Sequence, residues 1–174
     1  MADDRSAFRV RVRGVYALVM FGAAFGFVEA AVVYDLRHIV GAPSPVAPTH
    51  YQTILNLGFI TFIKPYRTLV ATSALGRVET VREACTLVML FAVAWLAAHR
   101  WTRRLGAFLV AFGTWDVTYY LWLRVIAHWP ASLLTRDVFF LIPVPWIGPV
   151  LTPLVISALL VLGGVRLYLL AETT

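Results

Sequence analysis

The sequence is short of charge and nearly without cysteine. Only 14% of its 174 residues are charged, 60% are hydrophobic, and mean hydropathy is +0.79. Soluble domains carry roughly 25% charged residues, so a soluble fold would lack the polar surface to cover itself. The single cysteine, Cys85, excludes an internal disulfide and a cysteine-clustered zinc site. Its place in an apolar run suits a small packing residue. Also missing are any HExxH, ExxH or HxxxH spacing, any repeat of fixed period and any low-complexity tract. No catalytic signature is present.

Long apolar runs are present instead. They predict an all-α integral membrane protein: one polytopic domain over 1–174, with a compact bundle of about four transmembrane helices. The spans fall at about 14–35, 81–99, 105–126 and 149–170, with interfacial or re-entrant segments at about 52–63 and 138–148. The stretch Ile54–Ile63 is too short to cross before Lys64-Pro65, and extending it to Leu75 would bury Lys64 and Arg67. Gly41–Pro48, with three prolines, reads as an irregular loop. Trp129-Pro130 suggests a short interfacial helical turn, and the prolines at 143, 145, 149 and 153 forbid an ordinary helix through 139–148. Arg5, Arg9, Arg11 and Arg13 precede the first run as in a signal peptide. That run is longer than the roughly 7–15 residues of a signal core and contains Glu29, so a retained first span is expected.

The net charge of +6 does not point to nucleic acid, because the arginines flank apolar runs and form no basic stripe. Their placement sets topology. The N-terminal tail and the 99–104 turn are both arginine-rich, so both termini are expected on the cytoplasmic side, in a prokaryotic cytoplasmic (inner) membrane. Five basic residues between Arg37 and Arg82 oppose this assignment.

Within the spans, Gly22, Gly26 and Ala30 form a small-residue face suited to close helix packing. Asp116, Tyr120 and Arg124 follow at i, i+4 and i+8 on one helical face. An acid deep in an apolar run is costly unless paired, and so marks a candidate site. The four-span topology puts Glu29, Asp35, Glu79, Glu83, Asp116 and Asp137 in the outer half, with His38, His50 and His128. Asp3, Asp4 and Glu172 fall in the tails. Thr80–Glu83 has the form of a capping box. The competing reading is a helix starting near Ser73, with Glu79 and Glu83 paired on one face.

The expected polar cluster comprises Glu29, Tyr34, Glu79, Arg82, Glu83, Asp116, Tyr120 and Arg124. The two arginines pair with the acids, and the tyrosines donate to what remains. Three functions are compatible with it. The first is structural: the cluster holds the helices of a scaffold, assembly factor or subunit of a membrane complex, as a homo- or hetero-oligomer within the lipid bilayer. The second is a metal-dependent or acid–base enzyme acting on a lipid-like substrate at the outer leaflet. Asp116, Glu29 and Glu83 are then the catalytic candidates, and a divalent metal is possible although no cofactor is predicted. The third is a proton-coupled small-solute carrier with Asp116 as the titrating group.

Overall fold

The computed structural model describes residues 2–40, 51–64 and 74–170. The expected loop over 41–48, His50, Arg67 and Glu172 lie outside the described residues, as does most of any extension of the second apolar stretch to Leu75. Four helices dominate: α1 (Ala2–Val40), α2 (Ala74–Ala97), α3 (Trp101–Ala127) and α4 (Leu151–Leu170). By length and composition, three of them could cross a membrane: α1, α2 and α4. The sequence reading counted four. The difference is α3, which is long enough but diluted by Asp116, two threonines and two tyrosines near its middle.

The all-α expectation is corrected by a four-stranded antiparallel sheet. Strands β1 (Thr53–Asn56) and β2 (Thr61–Ile63) precede α2, and β3 (Arg136–Phe140) and β4 (Trp146–Pro149) precede α4. The order is β1-β2-β4-β3. The two segments read as interfacial from apolar length, 52–63 and 138–148, are therefore largely hairpins. In the first, the Asn56 side chain accepts the Gly58 N–H at 2.8 Å, and Gly58 has φ +84°. That is an Asx-type turn flanked by β-branched and aromatic residues, which favours a hairpin. In the second, Pro143 and Pro145 occupy the connection, where no ladder hydrogen bond is required. Pro149 ends β4 instead of opening α4, and 128–130 forms no helical turn.

The described residues thus form two helix–hairpin–helix halves whose sheets merge through β2 and β4, with Thr61 opposite Ile147 and Phe62 opposite Trp146. All four strands lie at one end of the bundle. At the other end, Arg104 Nε donates to Ala98 O and Arg11 Nη1 to Leu169 O, each at 2.9 Å. These arginines satisfy carbonyls where α2 and α4 end and where the helix dipole favours cations.

α3 is the central helix. It packs in parallel against α1, where side chains added at Gly22 and Gly26 would meet the α3 backbone at Ala111 O and Trp115 O, both at 2.9 Å. Ala30 continues this contact and is fully buried. α4 lies antiparallel on another face, and there a side chain added at Gly106 would meet Gly164 O at 2.8 Å and one at Gly113 would meet Ser157 O at 2.6 Å. The outward faces stay apolar: Leu96 is 83% exposed, Met20 72% and Leu162 69%. Cys85 is on that exterior and is not packed inside as expected.

Candidate functional site

The acids expected in one cluster fall into two groups. The first group joins α1 to α2. Glu29, 7% exposed, forms an ion pair with Arg82, and Thr86 Oγ1 approaches its other oxygen at 3.5 Å. Arg82 also engages Glu79 one turn earlier, with Nε donating to Oε2 at 2.8 Å. Its planar guanidinium therefore bridges two carboxylates on different helices, a geometry that suits arginine and not lysine. Glu83 points elsewhere: its Oε2 accepts the Leu141 N–H at 2.8 Å, fastening α2 to the β3–β4 connection. Because α2 starts at Ala74, Thr80 and Glu83 lie inside the helix and form no capping box.

The second group joins α3 to α4 and to the sheet. Ser157 Oγ donates to Asp116 Oδ2 at 2.8 Å, and Tyr120 Oη donates to Asp137 Oδ2 at 2.9 Å. Asp116, Tyr120, Asp137 and Ser157 are all buried. Among the described residues no cation stands within ion-pair distance of Asp116. Asp137, on β3, has its pKa pushed up to about 6 by burial, against the Tyr120 hydrogen bond and the charge of Arg37, which lower it. Arg37, near the end of α1, lies 4.5 Å over the Trp129 ring, and its Nη1 is buried with no hydrogen-bond partner.

Two expected members take other roles. Arg124 pairs with no carboxylate among the described residues; its Nη1 donates to His128 O (2.7 Å) and Pro130 O (3.3 Å), closing the end of its own helix. His128 there adopts the left-handed conformation, φ 53°. The spacing from Asp116 to Arg124 is real, but eight residues of helix rise carry the guanidinium about 12 Å along the axis, out of reach. The Tyr34 ring packs on His38 at 4.1 Å and is not drawn to the acids. Tyr119 is within electrostatic reach of members of both groups, Asp137 and Arg37 as well as Glu29 and Arg82.

Sequence reasoning passed over Ser157, Arg37 and Thr86. Ser157 carried a signal, as a lone hydroxyl between Leu154 and Gly163 in the most apolar helix. Arg37 carried none, because the apolar run stops at Tyr34 while the helix continues to Val40.

The described residues contain no group of three or more His, Cys, Asp or Glu side chains arranged to hold a metal. No protein-family model, curated protein or solved structure matches this chain.

Proposed function

We propose that this chain is a small four-span membrane protein whose buried polar bonds lock its helices and sheet into one shape, and that it serves as a scaffold, assembly factor or subunit of a membrane complex. The observation that carries this reading is the pattern of the bonds. Each joins a different pair of elements: Glu29–Arg82 α1 to α2, Asp116–Ser157 α3 to α4, Tyr120–Asp137 α3 to β3, and Glu83–Leu141 α2 to the β3–β4 connection. Polar groups used in this way fix register and spacing between helices. An acid–base enzyme or a proton-coupled carrier needs acids converging on an open space, and these are dispersed in pairs.

α3 is the fourth span in this reading. Its polar side chains lie against α1, α4 and the sheet, so it needs no apolar exterior all round. The apolar outward faces then meet lipid, and the sheet caps the outer end. Arg5–Arg13 and Arg100–Arg104 lie at the opposite, cytoplasmic end, as the positive-inside bias requires.

Topology is tested by cysteine substitution at Thr102 and Ser132, with Cys85 replaced by Ala. Thr102 should label only from the cytoplasmic side and Ser132 only from the outside. Equal labelling from one side would overturn the four-span arrangement. The subunit role is tested by native mass spectrometry of the chain expressed at its natural level. One recurring partner, or a second copy, at fixed stoichiometry is expected. A lone 19.4 kDa chain would overturn it.

A further inference from the structure

We propose that the cleft between the sheet end of α3, the 130–133 loop and the start of α4 binds one anionic phospholipid, an acyl chain in the cleft and the phosphate on Arg124. The cleft encloses about 440 Å³ and its walls are almost wholly apolar, with Val117, Leu121, Leu133, Val150 and Leu154 among them. That volume is within the range of small-molecule sites. Among the described residues, Arg124 supplies the one charged side chain in the lining, and no carboxylate opposes it there.

The arginine is held in place for this task. Its Nη1 is tied to two carbonyls, while Nε and Nη2 make no hydrogen bond among the described residues. A guanidinium fixed by one corner presents its remaining donors as a fork, which matches the oxygens of a phosphate. Tyr120 also lines the cleft, but its hydroxyl is engaged by Asp137, so it offers an aromatic wall and not a competing donor.

The surroundings match the depth of a lipid headgroup. Leu133 and Leu134 on the loop are 53% and 71% exposed, beside the exposed polar residues Ser132 and Arg136. A loop that projects leucines outward next to polar groups suits the boundary between acyl chains and headgroups. A partner helix is about 10–12 Å across with its side chains and would need a long groove. A single acyl chain needs only a narrow cleft with an anion site at its mouth.

The inference requires the chain to sit in a bilayer but not that it act as a scaffold. Its test uses the full chain in detergent with equimolar phosphatidylglycerol and phosphatidylcholine of identical acyl chains, bound lipid being counted by native mass spectrometry. One phosphatidylglycerol should be retained with a preference of about tenfold: both lipids carry the phosphate, but the choline cation of phosphatidylcholine is repelled by Arg124 and offsets its attraction. Arg124→Gln should abolish the preference while leaving chain-dependent retention. Leu154→Trp, which fills the cleft and leaves the charge alone, should reduce retention of both lipids. Equal retention of the two lipids by the unaltered protein would overturn the proposal. So would phosphatidylglycerol retention unchanged in Leu154→Trp. If Arg124→Gln does not fold, because Arg124 also closes α3, those two measurements decide the matter. A chain that stays monodisperse in water without detergent would refute the bilayer placement itself, separately from the lipid site.

Discussion

Ser157 of α4 donates a 2.8 Å hydrogen bond to Asp116 of α3, and the pair is almost sealed from the exterior at 1% and 8% exposure. Beside it the two helices pack closely, because Gly113 leaves no side chain between α3 and the Ser157 carbonyl. The absent Cβ and the polar bond act together: the first permits the approach, and the second selects one register within it.

Asp116→Ala should therefore destabilise the protein by about 1–3 kcal/mol, the cost of leaving a buried partner unsatisfied. Asp116→Asn should cost less, since its amide oxygen still accepts from Ser157. In a cycle with Ser157→Ala the coupling should be about 0.6 kcal/mol, reaching about 1.7 at most, as for hydrogen bonds between membrane helices. Denaturant titration in detergent measures it. Strictly additive single substitutions would mean that the bond contributes nothing.

Arg82 is the sole counter-charge for both Glu29 and Glu79 among the described residues. Replacing it with Met should cost on the order of 3 kcal/mol, because two largely buried carboxylates lose their cation. Adding Glu29→Gln should recover part of that loss by removing one of the stranded charges. Melting temperatures of the three proteins test the order; a double variant less stable than Arg82→Met alone would contradict it.

Gly164 and Gly163 are neighbours with opposite expectations. A methyl at Gly164 would lie 2.8 Å from Gly106 O and 2.9 Å from Val110 N, both of them backbone, whereas nothing lies within 4 Å of one at Gly163. Gly164→Ala should cost about 1–3 kcal/mol by forcing α3 and α4 apart. Gly163→Ala should be neutral or stabilising by up to about 1 kcal/mol, through helix propensity. Thermal unfolding of the two variants side by side settles the comparison.

Asp137 gives stability a pH dependence of definite sign. Its folded pKa, about 6, stands above the ordinary 3.8, so the folded state holds a proton that the unfolded state releases. The resulting contribution is fully present below about pH 4 and is lost as pH rises through 6. Asp137→Asn should reduce the fall of melting temperature between pH 4 and 7. Arg37→Met should move the midpoint upward, since the charge of Arg37 lowers it. An unaltered pH profile in Asp137→Asn would refute the assignment.

Much of the helical layout was legible because apolar length is a local property. Spans drawn at 14–35, 81–99, 105–126 and 149–170 fall largely within α1 to α4. The hairpins were missed because 52–63 and 138–148 were judged by apolar length, while the signals that mattered were β-branched composition and the Asn56–Gly58 turn. The Gly22–Gly26–Ala30 face was visible as a motif. The Gly106–Gly113 face was not, because its glycines are seven residues apart and only α4 makes that spacing meaningful.

Sequence alone determined that the chain forms long apolar helices with acids inside them, since hydropathy and charge spacing follow from order along the chain. It could not determine which acid meets which partner. Glu29 finds Arg82 across 53 positions, Asp116 finds Ser157 across 41, and Glu83 finds the Leu141 amide across 58. Those pairings arise only when α3 is clasped between α1 and α4 and the two hairpins merge into one sheet. Side-chain bonds reach a few ångströms, so the tertiary packing that brings the helices together decides them.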